Sequence, residues 1–136
     1  MNEHAFIKAV HNHLDKHPIY AAKLSVNFIN GFPDAYYSTD HKDMWVEYKA
    51  IPSGLKTGLS PLQRRWLTHR YSEGRQCWLV ILTPKGVVTY QQPPYPDKLP
   101  KNYGAYGVPL RDFMRIFAGY LLTEDKQCGG LPVPLP

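Results

Sequence analysis

The stretch GFPDAYYSTDHKDMWVEYKA, Gly31 to Ala50, decides how the chain is read. Two runs rich in aromatic and β-branched residues, Ala35 to Thr39 and Met44 to Ala50, flank the polar turn Asp40-His41-Lys42-Asp43, the pattern of a β-hairpin. Side chains two apart on a strand leave the same face, so Glu47 and Lys49 share one face while Val46 and Tyr48 leave the other. A two-residue turn at Asp40-His41 puts Asp34 directly opposite Glu47, whereas a turn from Asp40 to Asp43 puts Asp34 opposite Lys49. In both registers the three side chains stay on one face. Two carboxylates paired across a hairpin, with Cβ atoms about 5 Å apart, repel each other unless a cation lies between them. A pair of hard oxygen ligands with room for water and a phosphate oxygen suits Mg2+ or Mn2+.

Outward from the hairpin, residues Glu3 to about Lys16 carry Phe6, Ile7, Val10 and Leu14 on one face, predicting a short amphipathic helix that Pro18 ends. Lys23 to Asn30, alternating Leu24, Val26 and Phe28 with polar residues, predicts a strand closed by Gly31 and Pro33. After the hairpin, Ser60-Pro61 opens a helix that runs to about Glu73, with Gly74 as its stop. Cys77 to Leu82 is almost wholly apolar, as in a strand buried on both faces, and Lys85-Gly86 turns the chain into a last strand, Val87 to Gln91. The order α-β-β-β-α-β-β predicts an α/β fold. Four segments make up the chain: a folded core at 1–91, a Pro- and Tyr-rich loop at 92–109, a helix at 110–123 packed on the same domain, and an extended tail at 124–136. The apolar residues Phe113, Ile116, Phe117 and Tyr120 of that last helix suit either a dimer interface or a cap on the core.

A chain of 136 residues is one domain's worth. Without a long apolar run or a leader-like N-terminus, the expectation is no membrane span and a cytoplasmic location, the host's cytoplasm if a phage encodes the chain. Cys77 and Cys128 have neither metal-ligand spacing nor the density of a disulfide scaffold, so both are expected as reduced thiols. The net charge of +5 and pI near 9.2, with Lys49, Lys56, Arg64, Arg65, Arg70 and Arg75 following the first acidic cluster, suit a polyanion partner or plain solubility.

Pro33-Asp34 followed by Glu47-Tyr48-Lys49 resembles the PD-(D/E)XK nuclease superfamily. With Gly31-Phe32-Pro33-Asp34, Trp45-Val46-Glu47-Tyr48-Lys49 and Leu59-Ser60-Pro61-Leu62-Gln63 in that order and spacing, the chain looks like its VRR-NUC, Holliday-junction-resolvase-like branch over about residues 3 to 90. The resemblance implies a restriction-endonuclease-like αβββαβ core: a central mixed sheet flanked by helices, with a further C-terminal helix here. It also implies a divalent-metal-dependent endonuclease that hydrolyses DNA, in some members as homodimers on branched junctions. Asp34, Glu47 and Lys49 would be catalytic, with Gln63 in support. Asp34, Glu47, the main-chain carbonyl of Tyr48, and Glu3 on the first helix would hold Mg2+ or Mn2+.

Plainer readings stand beside these. Glu3 could simply sit at the positive end of a helix dipole, and Gln63 closes a capping box with Ser60 that needs no substrate. Arg64, Arg65 and Lys56 are candidate DNA contacts or ordinary surface charge. Tyr95, Tyr103 and Tyr106, with Lys98 and Lys101, suit stacking on unpaired bases or packing of a long loop. His13 and His17 have zinc-like spacing but no third ligand, and with His4 and His11 read as a solvated helix face. Trp45, Trp66 and Trp78 fall at core positions. The rival function is a non-cleaving nucleic-acid- or partner-binding protein on a nuclease-like scaffold.

Overall fold

The first helix, α1 (Glu3–Leu14), is capped by Asn2, whose Oδ1 accepts from the Ala5 amide at 2.8 Å, and it buries the expected stripe Phe6, Ile7, Val10 and Leu14. The structure is a computed structural model and describes residues 1–25 and 31–134. Next come β1 (Tyr20–Lys23), β2 (Ala35–Ser38), β3 (Asp43–Ala50), α2 (Pro61–Ser72), β4 (Gln76–Thr83), β5 (Gly86–Tyr90), a single 3-10 turn at Tyr103–Tyr106, and α3 (Leu110–Leu121). One sheet contains all five strands in chain order. Neighbours are antiparallel except β3 and β4, which run parallel, and α2 makes the crossover that a parallel pair requires. Among the described residues no helix is long and apolar enough to cross a membrane.

The hairpin takes the two-residue-turn register: Ala35 faces Val46, Ser38 faces Asp43, and the Thr39 amide donates to the Lys42 carbonyl at 2.9 Å. The first strand differs from expectation. It lies at Tyr20–Lys23, which meets the expected span only at Lys23, and residues 26–30 of that span, with Val26 and Phe28, lie outside the described residues. Pairing explains the shift, because Tyr20 to Lys23 match β2 residue for residue from Ser38 to Ala35, and the Leu24 amide adds one more bond to the Asp34 carbonyl. Tyr-Ala-Ala-Lys is a weak strand former alone, and the β2 edge overrides that local preference.

The alternation along the strands sorts two cores. Val46, Tyr48, Trp78, Val80 and Val87 face α1 and α3, which adds Phe113, Phe117 and Leu121. Cys128 and Leu131 of the tail are buried in the same cluster. On the other face Cys77, Leu79, Ile81 and Val88 meet Leu67 of α2 and three residues of the long loop, Tyr95, Leu99 and Tyr103. Packing therefore claims Tyr95 and Tyr103. Trp78 is a core residue, but Trp45 and Trp66 are only partly buried; they meet edge-on at 5.4 Å, and the Phe32 ring lies edge-on to both.

Two glycines with positive φ differ in their surroundings. At Gly74 (φ 91°) a Cβ would meet open space, whereas at Gly86 (φ 110°) it would lie 2.8 Å from the Val108 carbonyl oxygen. The Val87 and Val108 main chains exchange hydrogen bonds at this point, so the backbone cannot move away. Gly74→Ala should cost about 1 kcal/mol, and Gly86→Ala on the order of 3 kcal/mol, in urea denaturation. Equal losses would show that the approach of Val108 does not constrain Gly86.

Candidate metal centre

Pro33 has no amide to donate, and the β2–β3 ladder stops one residue after Asp34, at Ala35–Val46. The Tyr48 amide, which a longer β2 would have satisfied, donates instead to Asp34 Oδ2 at 2.8 Å. This bond turns the Asp34 carboxylate toward β3 where the two strands part. Gly31 (φ 84°) fixes the approach from the other side, because a Cβ there would lie 2.6 Å from the Leu62 carbonyl oxygen in the first turn of α2. Loop and helix are thus in backbone contact beside the hairpin.

Glu47 is buried, 1% exposed, on the face that also carries Lys49. Its Oε2 accepts from Gln63 Nε2 at 3.0 Å and lies 3.4 Å from Lys49 Nζ. Its Oε1 is buried with no hydrogen-bond partner among the described residues. Carboxylate oxygens of Glu3, Asp34 and Glu47 all lie within 4.8 Å of one another. Among the described residues this is the one cluster of three or more His, Cys, Asp or Glu side chains so arranged, and His13 with His17 gathers no third ligand. Burial first, then the neighbouring Asp34, pushes the Glu47 carboxyl up to about 9, outweighing the opposite pull of the Lys49 ammonium. Glu3 is also raised, by burial and then by Asp34, with Lys49 pulling the other way.

Such an arrangement fits a small hard cation. Three carboxylates converge, burial makes two of them bind a proton more readily than usual, and among the described residues one buried oxygen has no partner. A divalent ion would replace the protons and supply what Oε1 lacks.

Gln63 closes the expected capping box and also touches Glu47. Ser60 Oγ accepts from the Gln63 amide at 3.1 Å, Gln63 Oε1 accepts from the Ser60 amide at 2.9 Å, and the remaining Nε2 reaches Glu47. The capping box therefore holds the amide group rigid while it donates to the site. Tyr48 sends its side chain to the opposite core, where its hydroxyl meets Tyr37 at 2.5 Å, so only its main chain can face Asp34 and Glu47. Lys56 and Arg65 are exposed. Arg64 is engaged elsewhere: Nε donates to the Tyr95 carbonyl at 2.8 Å and the guanidinium pairs with Asp97. Two features had no signal in the motif. His11 bonds Tyr37 at 2.7 Å, extending the buried Tyr37–Tyr48 pair to α1, and Lys98 is carried to Lys56 by the long loop.

A carboxyl whose folded value is raised binds its proton more tightly in the folded state than in the unfolded one. The stabilisation is full below the ordinary value of 4.5 and is lost as the pH rises toward about 9. Metal-free protein should therefore melt at progressively lower temperature over this window, and Glu47→Gln, which keeps the neutral form, should melt higher than wild type at pH 8 in EDTA. Divalent metal should raise the wild-type melting temperature and not that of the variant. A Glu47→Gln protein less stable than wild type at pH 8 in EDTA would contradict a protonated, cation-seeking Glu47.

No family model and no curated protein sequence matches the chain. Its structure is similar to that of the Holliday junction resolvase Hjc of Archaeoglobus fulgidus, an archaeal hyperthermophile, with a TM-score of 0.57 at 15% identity over 82% of this chain and 98% of that one. What the two share at that identity is the α/β fold, a mixed sheet between helices.

Proposed function

We propose that the chain is a divalent-metal-dependent endonuclease that hydrolyses DNA phosphodiester bonds, of the VRR-NUC kind among the PD-(D/E)XK nucleases, acting on branched or junction DNA. The observation that carries this reading is the cluster itself: one carboxylate oxygen each from Glu3, Asp34 and the buried Glu47 lie within 4.8 Å of one another, Lys49 Nζ lies beside Glu47 Oε2, and among the described residues no donor reaches the buried Oε1. The fold likeness to a Holliday junction resolvase supports the choice of substrate.

Asp34, Glu47 and Glu3, with the main-chain carbonyl of Tyr48, are the proposed ligands of Mg2+ or Mn2+. Such an ion supplies Lewis acidity toward a phosphoryl oxygen and lowers the pKa of a water. Gln63 holds Glu47 Oε2, leaving Oε1 to face the centre. Lys49, its side chain 14% exposed, directs its ammonium at the same carboxylate, from which it can orient the attacking water and neutralise charge as the phosphate becomes more negative. Arg65 and Lys56, exposed on α2 and on the loop before it, are proposed contacts to the DNA backbone, as is whatever part of Arg64 the Asp97 pair leaves available. A homodimer in the cytoplasm, with two centres set against a symmetric junction, completes the reading.

Purified protein should cut plasmid or a four-way junction in Mg2+ or Mn2+ and not in EDTA. Asp34→Asn and Lys49→Ala should each lower the rate by about a hundredfold or more while leaving the far-UV circular dichroism unchanged. Wild-type cleavage by either variant would overturn the assignment. DNA retained on a gel without metal and never cut would favour the non-cleaving binder instead.

A further inference from the structure

Between β5 and α3 the chain folds back across the loop that leaves β3 and leads into α2. The Leu99 amide donates to the Leu55 carbonyl at 2.8 Å, and the Thr57 amide donates to the Asp97 carbonyl at 2.8 Å. These two bonds bracket Lys56 and Lys98, which face each other in an antiparallel bridge. The pair is therefore of the non-hydrogen-bonded type, in which opposed Cα atoms come to about 4.5 Å and side chains lie closest. Both lysines are exposed.

Lys98 is not left to a floppy loop. Thr57 Oγ1 donates to the Pro96 carbonyl at 2.9 Å, Tyr95 is buried with its hydroxyl donating to the Cys77 carbonyl, and Arg64 binds both the Tyr95 carbonyl and the Asp97 carboxylate. Like charges directly opposite on two strands repel. Among the described residues neither ammonium has an acidic partner, and Asp97, the acid next in sequence, pairs with Arg64. A rigid frame that sets two lysine backbones directly opposite lets their ammonium groups close on one anion, whose charge relieves the repulsion between them.

Position favours a phosphate of the nucleic-acid backbone as that anion. A Cβ on Gly58 would lie 4.0 Å from Lys49 Cδ, and the two residues from Gly58 to Lys56 span at most about 7 Å, so Lys56 stands beside the metal centre. Arg64, held to Asp97 next to Lys98 in the chain, borders a groove along α2 with Arg65 and His69. We propose that Lys56 and Lys98 form a clamp for a single backbone phosphodiester adjacent to the one cleaved, a clamp that exists only because the 95–99 segment docks on the 55–57 loop. The identity of the polyanion rests on the nuclease reading; the clamp itself does not require metal.

The test is the salt dependence of binding to a short fluorescein-labelled DNA duplex in EDTA, for wild type, Lys56→Ala, Lys98→Ala and the double variant. A clamp that seats one phosphate only when both ammonium groups are present means that each single variant lowers the magnitude of the slope of log K against log salt by about one, and that the double variant lowers it no further. For a slope change of one, the affinity lost by a variant differs roughly fourfold between 50 and 200 mM salt. In the absence of DNA, Lys98→Ala should melt no lower than wild type at low salt, since it removes a repulsion. Unchanged slopes in both single variants would overturn the clamp, and a double variant losing about two would overturn the shared phosphate. Duplex binding with the expected slopes but no cutting in Mg2+ would refute the nuclease and keep the clamp; cutting with unchanged slopes would do the reverse.

Discussion

A carboxylate taken out of water on the inner face of a sheet needs a proton, a cation or a full set of hydrogen bonds, and Glu47 finds only part of that within its own chain. Gln63 and Lys49 attend to Oε2, and among the described residues no donor attends to Oε1. Asp34 makes matters worse, since it adds negative charge to a place from which solvent is largely withdrawn. Most of the local architecture can be understood as holding this unfavourable group in position. The raised values of Glu47 and Glu3 express the same conflict in protons that a divalent ion would express in bonds.

Four pieces of chain deliver the cluster, and ordinary folding rules place each. Asp34 arrives because Pro33 ends the ladder and the Tyr48 amide is left for its side chain. Gln63 arrives because the parallel β3–β4 pair demands a crossover helix whose capping box sits beside Glu47. Glu3 arrives from the opposite face of the sheet, carried on the first turn of α1 whose apolar stripe packs on Tyr48 and its neighbours: the Phe6 and Tyr48 rings meet edge to face at 5.2 Å. Lys49 follows from strand parity alone. The long segment after β5 then ties the whole α2 side together, filling the second core with Tyr95, Leu99 and Tyr103 and engaging Arg64 as its anchor. That use of Arg64 leaves Arg65 and the lysines as the exposed positive charge near the centre.

Sequence alone determined the element order, both faces of β3, the register once a two-residue turn is assumed, and the capping box that Gln63 closes, because these depend on local periodicity, turn length and capping chemistry. It gave no sign of a strand beginning at Tyr20, since Tyr20–Lys23 becomes a strand through its pairing with β2 and not through its own composition. Tertiary structure alone decided that Glu3 and Asp34 meet Glu47 within 4.8 Å, that no donor among the described residues reaches Glu47 Oε1, and that Lys98 stands opposite Lys56. Each of these joins residues from separate elements, across a sheet or between two loops. Their approach is set by how whole helices and strands pack, and no spacing along the chain encodes that distance.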